Sequence, residues 1–272
     1  MVPRAHARTV LTVAGSDPSG GAGVQMDLKC FAATGVHGCS VLTAITAQNT
    51  KGVRSVKAIP PGAVEAQLEA VFDDFVISAM KTGMLHDART VRLVASKVAG
   101  RGTPLIVDPV LSASKGATLS RPGMLEELKK SLIPHALLLT PNIPEAERFT
   151  EMRIRGLDDM ERACKKMLDL GCKSVLLKGG HAGGKMANDL LYDGRFRMFG
   201  APRLGPKVHG TGCMLSAFIT AFVGRGHTLP RAVGLAKSSV TEAIGRGLQI
   251  GKGMRIGDPL AGMRKCSRGR EW

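Results

Sequence analysis

The chain has 272 residues, 44% of them hydrophobic, with 38 basic side chains against 22 acidic ones and a formal net charge of +16. That length holds one large α/β domain with a sizeable core, and the composition excludes a disordered chain. Six scattered cysteines with no C-x-x-C pair exclude a zinc ribbon and a small disulfide scaffold, and no apolar run approaches the length of a membrane helix. Aromatics are only 4%, so no stacking platform for nucleic acid is visible, and the positive charge serves solubility or attracts an anionic small molecule.

TVLTVAG (9–15) reads as a first buried strand rather than a signal peptide, because it is short and lacks a small-residue cleavage site, which points to a cytoplasmic protein. It empties into GSDPSGGAGVQMD (15–27), which lacks the Gly-Lys-Ser/Thr of a P-loop and the third glycine of the dinucleotide fingerprint. The loop offers Gly15, Gly20, Gly21 and Gly23 for close backbone approach. Asp27 is expected in the first turn of the next helix, where a dipole partner and a ligand contact are equally open.

CSVLTAITA (39–47) is a second strand, and Gln48 at its end is a loop-capping amide on its own terms. Helical spacing over 63–75 and 88–100 brackets a third strand, SAMKTGML. PLIVDPV is a fourth strand, ending on Asp108-Pro109. Ser120 with Pro122 opens a helix over 123–133. ALLLTPN is the fifth strand, Asp158-Asp159 open a helix over 157–171, and KSVLLKGG is the sixth strand. Residues 187–202 read as a hairpin turning at Asp193-Gly194. Two helices follow, over 212–226 and 230–248, the first apolar nearly all round and so buried. Residues from about 262 to 272 read as a frayed basic tail.

Strands alternating with helices predict a mostly parallel sheet covered on both faces, in one domain because no linker divides the chain. Ligands then bind beyond the carboxyl ends of the strands, where the small, polar and ionisable residues collect. Asp108 and Glu145 can hold Mg²⁺ by oxygen ligation, directly or through water, with a phosphate completing the shell. Asn142 and Glu145 are three apart at a helix start, so each is equally a cap. Lys178 is either a point charge for phosphate or a surface lysine. In HGTGC, glycines at 210 and 212 leave N–H groups free at a helix start, a ready anion site where the dipole favours a Cys213 thiolate. The alternative is that the glycines pack a helix on the sheet and Cys213 fills a gap.

GSDPSGGAG, TAQNT, KTGML, VDPV, TPNIPEAE, LKGGH and HGTGC, in that order, resemble the hydroxymethylpyrimidine and hydroxymethylpyrimidine-phosphate kinases of thiamine biosynthesis, in the ribokinase-like superfamily. The resemblance runs from about residue 9 to about 260. It implies a three-layer α/β sandwich, ATP with Mg²⁺, small-molecule partners without nucleic acid or membrane, and a homodimer. It also implies that Gly15, Asp27, Gln48, Met84 and Val110 line the pyrimidine pocket. Gly210, Thr211 and Gly212 match the anion hole, and Cys213 the proposed catalytic base. Lys178, Asn142 and Lys237 look like the nucleotide side, with Asp108 and Glu145 on the metal. The thiol, where sugar-kinase relatives carry Asp, argues for a vitamin kinase. Pyridoxal kinase is the nearest rival, and a non-catalytic ligand-binding homologue the rival from another class.

Overall fold

A computed structural model of the chain describes residues 8–112, 118–181, 184–205 and 207–264. Its centre is a nine-stranded sheet. In chain order the strands are β1 (Thr9–Ser16), β2 (His37–Asn49), β3 (Gly52–Ala58), β4 (Ile77–Thr82), β5 (Leu105–Val107), β6 (Leu138–Leu139), β7 (Val175–Leu177), β8 (Met186–Tyr192) and β9 (Phe196–Pro202). They lie in the order β3-β2-β1-β4-β5-β6-β7-β8-β9. From β2 to β7 the pairing is parallel, and an antiparallel hairpin closes each edge. The order reverses at β1, whose neighbours are β2 and β4, and there the carboxyl ends leave a crevice.

Side chains of the central strands alternate between two cores, as a two-residue period demands. Leu11, Val13, Met80, Leu105, Val107 and Leu139 face one core. It is filled from helices α2 (Pro61–Asp74), α3 (Ala88–Val98), α4 (Met124–Glu127), α5 (Ile143–Thr150) and α6 (Leu157–Leu168), after α1 (Gly23–Ala33) has passed to the other face. Val10, Ala79, Ile106, Leu138 and Leu176 face the second core, against α1, α7 (Thr211–Gly224) and α8 (Leu229–Gly245). The three-layer α/β sandwich expected from the alternation is the architecture observed. Phe218 and Phe222 of α7 are fully buried, each contributing about 3 kcal/mol by area.

Three details differ from the sequence reading. KGVRSVKA forms β3, because β2 runs on to Asn49 and needs a partner for its outer edge. The helix expected over 123–133 starts only after Gly123, whose φ of 80° ends the preceding loop, while Ser120 Oγ donates to Leu111 O instead of capping. It opens into a π turn over Leu128–Leu132 and a 3-10 turn over Ile133–His135, where Pro134 lacks the N–H that an α-helix would use. The expected tail overlaps a helix: α9 (Pro259–Arg264) takes in 262–264, and 265–272, with Cys266, lie outside the described residues. Two short parallel strands, β10 (Val208–His209) and β11 (Arg255–Ile256), tie the start of α7 to the segment before α9.

Candidate active site

The sheet delivers its polar residues to one edge. At the end of β1, Gly15 is overlain by Met84: a Cβ at Gly15 would lie 2.3 Å from Met84 Cε. Met84 packs with Ala44 and Leu119, and Val110 lies against the same group. Gly15, Met84 and Val110 are thus brought together in an apolar corner beside β2. Gln48, at a bulge near the end of β2, contacts Thr46 and His209.

Asp27 is placed differently from the expectation. It is the fifth residue of α1, past the first turn, fully buried, with Oδ1 accepting from Lys81 Nζ at 2.7 Å and Oδ2 from Thr12 Oγ1 at 2.7 Å. Burial pulls the Lys81 ammonium down, but the Asp27 carboxylate beside it holds it above the usual lysine value. Lys81, a charge inside the apolar strand SAMKT, was not singled out in the sequence; its incongruity there is the signal that could have found it.

Glycines decide how α7 starts. Gly210 has φ 78°, and a Cβ on it would lie 1.8 Å from Gly21 O, so the two glycine-rich loops touch backbone to backbone. The first helical bond of α7 runs from Met214 N to Gly210 O, leaving the N–H groups of Thr211, Gly212 and Cys213 outside the helix ladder. A Cβ at Gly212 would lie 3.4 Å from Lys178 Nζ, so the cradle faces that ammonium. The thiolate expected there is corrected: withdrawal from water pushes the half-buried Cys213 thiol up to about 11, against the opposing pull of Lys81 and the Gly23 N–H. The helix start does not outweigh the desolvation.

Across the cradle, Lys178 Nζ donates to Asp108 Oδ1 at 2.9 Å, and Ser216 Oγ lies 3.1 Å from Asp108 Oδ2. Burial alone would lower Lys178 and raise Asp108, and each reverses the other: the lysine is held well above its usual value and the carboxyl below. Ser216 is one turn beyond Gly212, so Asp108 clasps α7 to the end of β7. Asn142 caps α5, its Oδ1 accepting from Glu145 N while Glu145 Oε2 accepts from Asn142 N, each at 2.9 Å. Burial pushes Glu145 up to about 7, with Lys178 pulling down and Asp108 up. Lys237 of α8 donates to Asp189 Oδ2 at 2.6 Å, and Asp189 Oδ1 accepts from Gly179 N at 3.0 Å, so this lysine braces the loop after Lys178.

No group of three or more His, Cys, Asp or Glu able to hold a metal occurs among the described residues. Asp108 already has partners on both oxygens. The donor set therefore fits a Mg²⁺ held mainly by substrate phosphate and water, not an all-protein cage.

A family model described as phosphomethylpyrimidine kinase matches residues 17–258. The thiamine biosynthesis bifunctional protein ThiED of Geobacter sulfurreducens is 45% identical over 248 residues, 90% of this chain and 51% of that protein, so the chain spans about half its length. The hydroxymethylpyrimidine/phosphomethylpyrimidine kinase of Streptomyces coelicolor is 44% identical over 247 residues, 90% of this chain and 91% of that one. Among solved structures, the Staphylococcus aureus pyridoxal kinase in complex with AMP-PCP and pyridoxal superposes with a TM-score of 0.86 at 31% identity, covering 94% of each chain. The fold is common to both activities, and the higher identity lies with the pyrimidine kinases. With the matched span reaching from the loop after β1 to the segment beyond β11, the chain belongs to the phosphomethylpyrimidine kinase family and is a ribokinase-like phosphotransferase.

Proposed function

We propose that this chain, as one kinase domain acting in the cytoplasm as a homodimer, transfers phosphoryl groups from ATP to 4-amino-5-hydroxymethyl-2-methylpyrimidine and to its monophosphate. The product is the pyrimidine diphosphate used in thiamine biosynthesis. The observation that carries this reading is the start of α7, where three N–H groups lie outside the helix ladder and a Cβ at Gly212 would lie 3.4 Å from Lys178 Nζ. Phosphoryl transfer asks a protein mainly for positioning and charge stabilisation, and this arrangement supplies both.

The heterocycle packs in the corner of Gly15, Met84 and Val110, with the Gln48 amide reading its polar edge. Its hydroxymethyl oxygen approaches the N–H groups of Thr211, Gly212 and Cys213, which stabilise the equatorial oxygens of the transferring group. Lys178 neutralises charge on the nucleotide phosphates, while Asn142 shapes the start of α5 and Lys237 holds the neighbouring loop. Asp27 supports the pocket from behind β1 through Lys81. Mg²⁺, when bound, supplies charge neutralisation on the phosphates, with Glu145, and Asp108 through water, as the residues to hold it. Cys213 stands as acceptor of the substrate proton. Only its thiolate form can take that proton, and burial, by raising the thiol to about 11, makes this form the minority at neutral pH. The five described cysteines are all free, which supports a reducing compartment.

The test is ATP/Mg²⁺ turnover on hydroxymethylpyrimidine, its monophosphate and pyridoxal, with Gln48→Ala alongside, and light scattering for the dimer. Turnover of both pyrimidines at higher kcat/KM than pyridoxal is expected. Turnover of pyridoxal alone would replace this reading with the pyridoxal kinase one.

A further inference from the structure

His209 precedes the α7 cradle, and the reaction described so far does not use it. Its Nε2 lies 2.9 Å from the Gln48 amide nitrogen and 3.0 Å from Asp17 Oδ2. One ring nitrogen cannot accept from an amide N–H and also donate to a carboxylate. Asp17 decides between them. It is 2% exposed, and its Oδ1 accepts from Ser19 N at 2.9 Å and Ser19 Oγ at 2.8 Å, bonds that favour the ionised form. Burial works against that form, and the bonds from His209 and Ser19 outweigh it, holding the carboxyl below its usual range. Nε2 of His209 therefore carries the proton towards Asp17.

The amide of Gln48 must then present oxygen to the ring, which a half-turn about its last torsion achieves without moving any other atom. The half-turn brings the amide nitrogen to the position 3.3 Å from Thr46 Oγ1. That hydroxyl donates its own proton to Ser16 O at 2.8 Å, so its lone pairs are available to accept. The single Nε2–H is then shared between Asp17 Oδ2 and the Gln48 oxygen, and the amide NH₂ meets the Thr46 lone pairs, whereas the opposite orientation sets two acceptors, His209 Nε2 and the Asp17 carboxylate, against each other. The ring has little room to leave. A Cβ at Gly21 would meet His209 Cδ2 at 2.6 Å, and the Ile256 side chain closes the same space.

We propose that His209 is the positioning residue that fixes the Gln48 amide in one orientation, oxygen towards the imidazole and NH₂ towards Thr46, so that the pocket reads the order of donor and acceptor on the substrate heterocycle. The consequence for substrate choice rests on Gln48 contacting the pyrimidine; the orientation itself does not. A freely turning amide would serve either order and discriminate poorly, whereas a fixed one leaves a mismatched edge with unpaired buried groups.

Long-range ¹H–¹⁵N correlation spectra of the unliganded, ¹⁵N-histidine-labelled protein, with His209 assigned by difference against His209→Gln, test the orientation. A proton on Nε2 is expected; the Nδ1–H tautomer with a bare Nε2 would overturn the proposal. In kinetics, His209→Leu should raise KM for hydroxymethylpyrimidine about tenfold, the worth of one hydrogen bond, and leave KM for ATP unchanged. Its preference for the pyrimidine over pyridoxal should fall by a similar factor, and Gln48→Ala should add little on top. Equal changes in both KM values, or additive effects of the two substitutions, would also overturn it. If the wild-type enzyme turned over pyridoxal alone, the substrate reading would fail while the spectrum still decided the orientation.

Discussion

Two glycine-rich loops each lead from a strand into an uncapped helix, and they differ in what their backbone donors meet. The loop after β1 turns three of them inward, Asp17 N donating to Gln25 Oε1, Ser19 N to Asp17 Oδ1 and Gly20 N to Asp17 O, while Gly23 N points to the Cys213 thiol and α1 starts, like α7, without a side-chain cap. The loop before α7 leaves the N–H groups of Thr211, Gly212 and Cys213 outside the helix ladder, with Lys178 Nζ beside Gly212. α5 resembles the first case, since Asn142 and Glu145 cap each other. Glycine content alone therefore does not mark an anion site. Since α1 and α7 both start on glycine without a side-chain cap, what distinguishes α7 is the Lys178 ammonium beside Gly212.

The comparison is broken most strongly beneath both loops, at the Lys81–Asp27 pair. Lys81→Met leaves the buried Asp27 carboxyl without its ion-pair partner, and should cost roughly 3–5 kcal/mol in urea denaturation. The double variant Asp27→Asn/Lys81→Met should recover most of that, because replacing a buried pair costs less than halving it. A single variant as stable as wild type would show that the pair does not hold α1 to the sheet.

Next in size is the cap of α5. Glu145, raised to about 7, keeps its proton when folded over a window in which the unfolded chain, near 4.5, has lost it. The folded state then binds more protons, so stability falls as pH rises from about 4.5 to about 7, and the cost is complete above that. Relative to Glu145→Gln, which cannot titrate, wild type should lose about 3 kcal/mol across that window. Parallel stability–pH curves would place the Glu145 carboxyl in its ordinary range.

Gly210→Ala tests the open junction directly. A methyl group there meets Gly21 O at 1.8 Å in a left-handed conformation, so the cradle must shift, and kcat should fall about a hundredfold. Gly62→Ala, where no atom lies within 4 Å of the added methyl, is the matched control and should keep full activity. Equal activity in both would remove the cradle from the reaction.

The smallest effect is expected at Cys213. Since positioning dominates, Cys213→Ala should retain activity within about tenfold of wild type at neutral pH. If the thiolate accepts the proton, wild-type kcat climbs with pH towards the ionisation near 11, and that limb is missing from Cys213→Ala. Superimposable pH profiles would end the base assignment.

Much of this was legible in the chain. The run VLTVAGSDPSGG shows a buried strand ending in a loop, and HGTGCMLSAF shows an apolar helix with a glycine start. The residues at strand ends, Asp108, Asn142 and Lys178, were found because a parallel sheet gathers such positions at one edge. Asp17, His209, Ser216, Asp189 and Lys81 escaped, since each owes its place to a partner distant in sequence: His209 stands 192 positions from Asp17, and Ser216 stands 108 from Asp108. Of these, only Lys81 carried a local signal.

By itself, then, the sequence determined the alternating α/β order, which strands are buried on both faces and which helix starts with glycine, because periodicity and backbone stereochemistry act over a few neighbouring residues. Tertiary structure alone decided which charges are paired. It buried Asp27 against Lys81, set Asp108 between Lys178 and Ser216, and withdrew the Cys213 thiol from water far enough to keep its proton. Electrostatic energies depend on distance and solvent exposure in space, and neither quantity is written in local sequence.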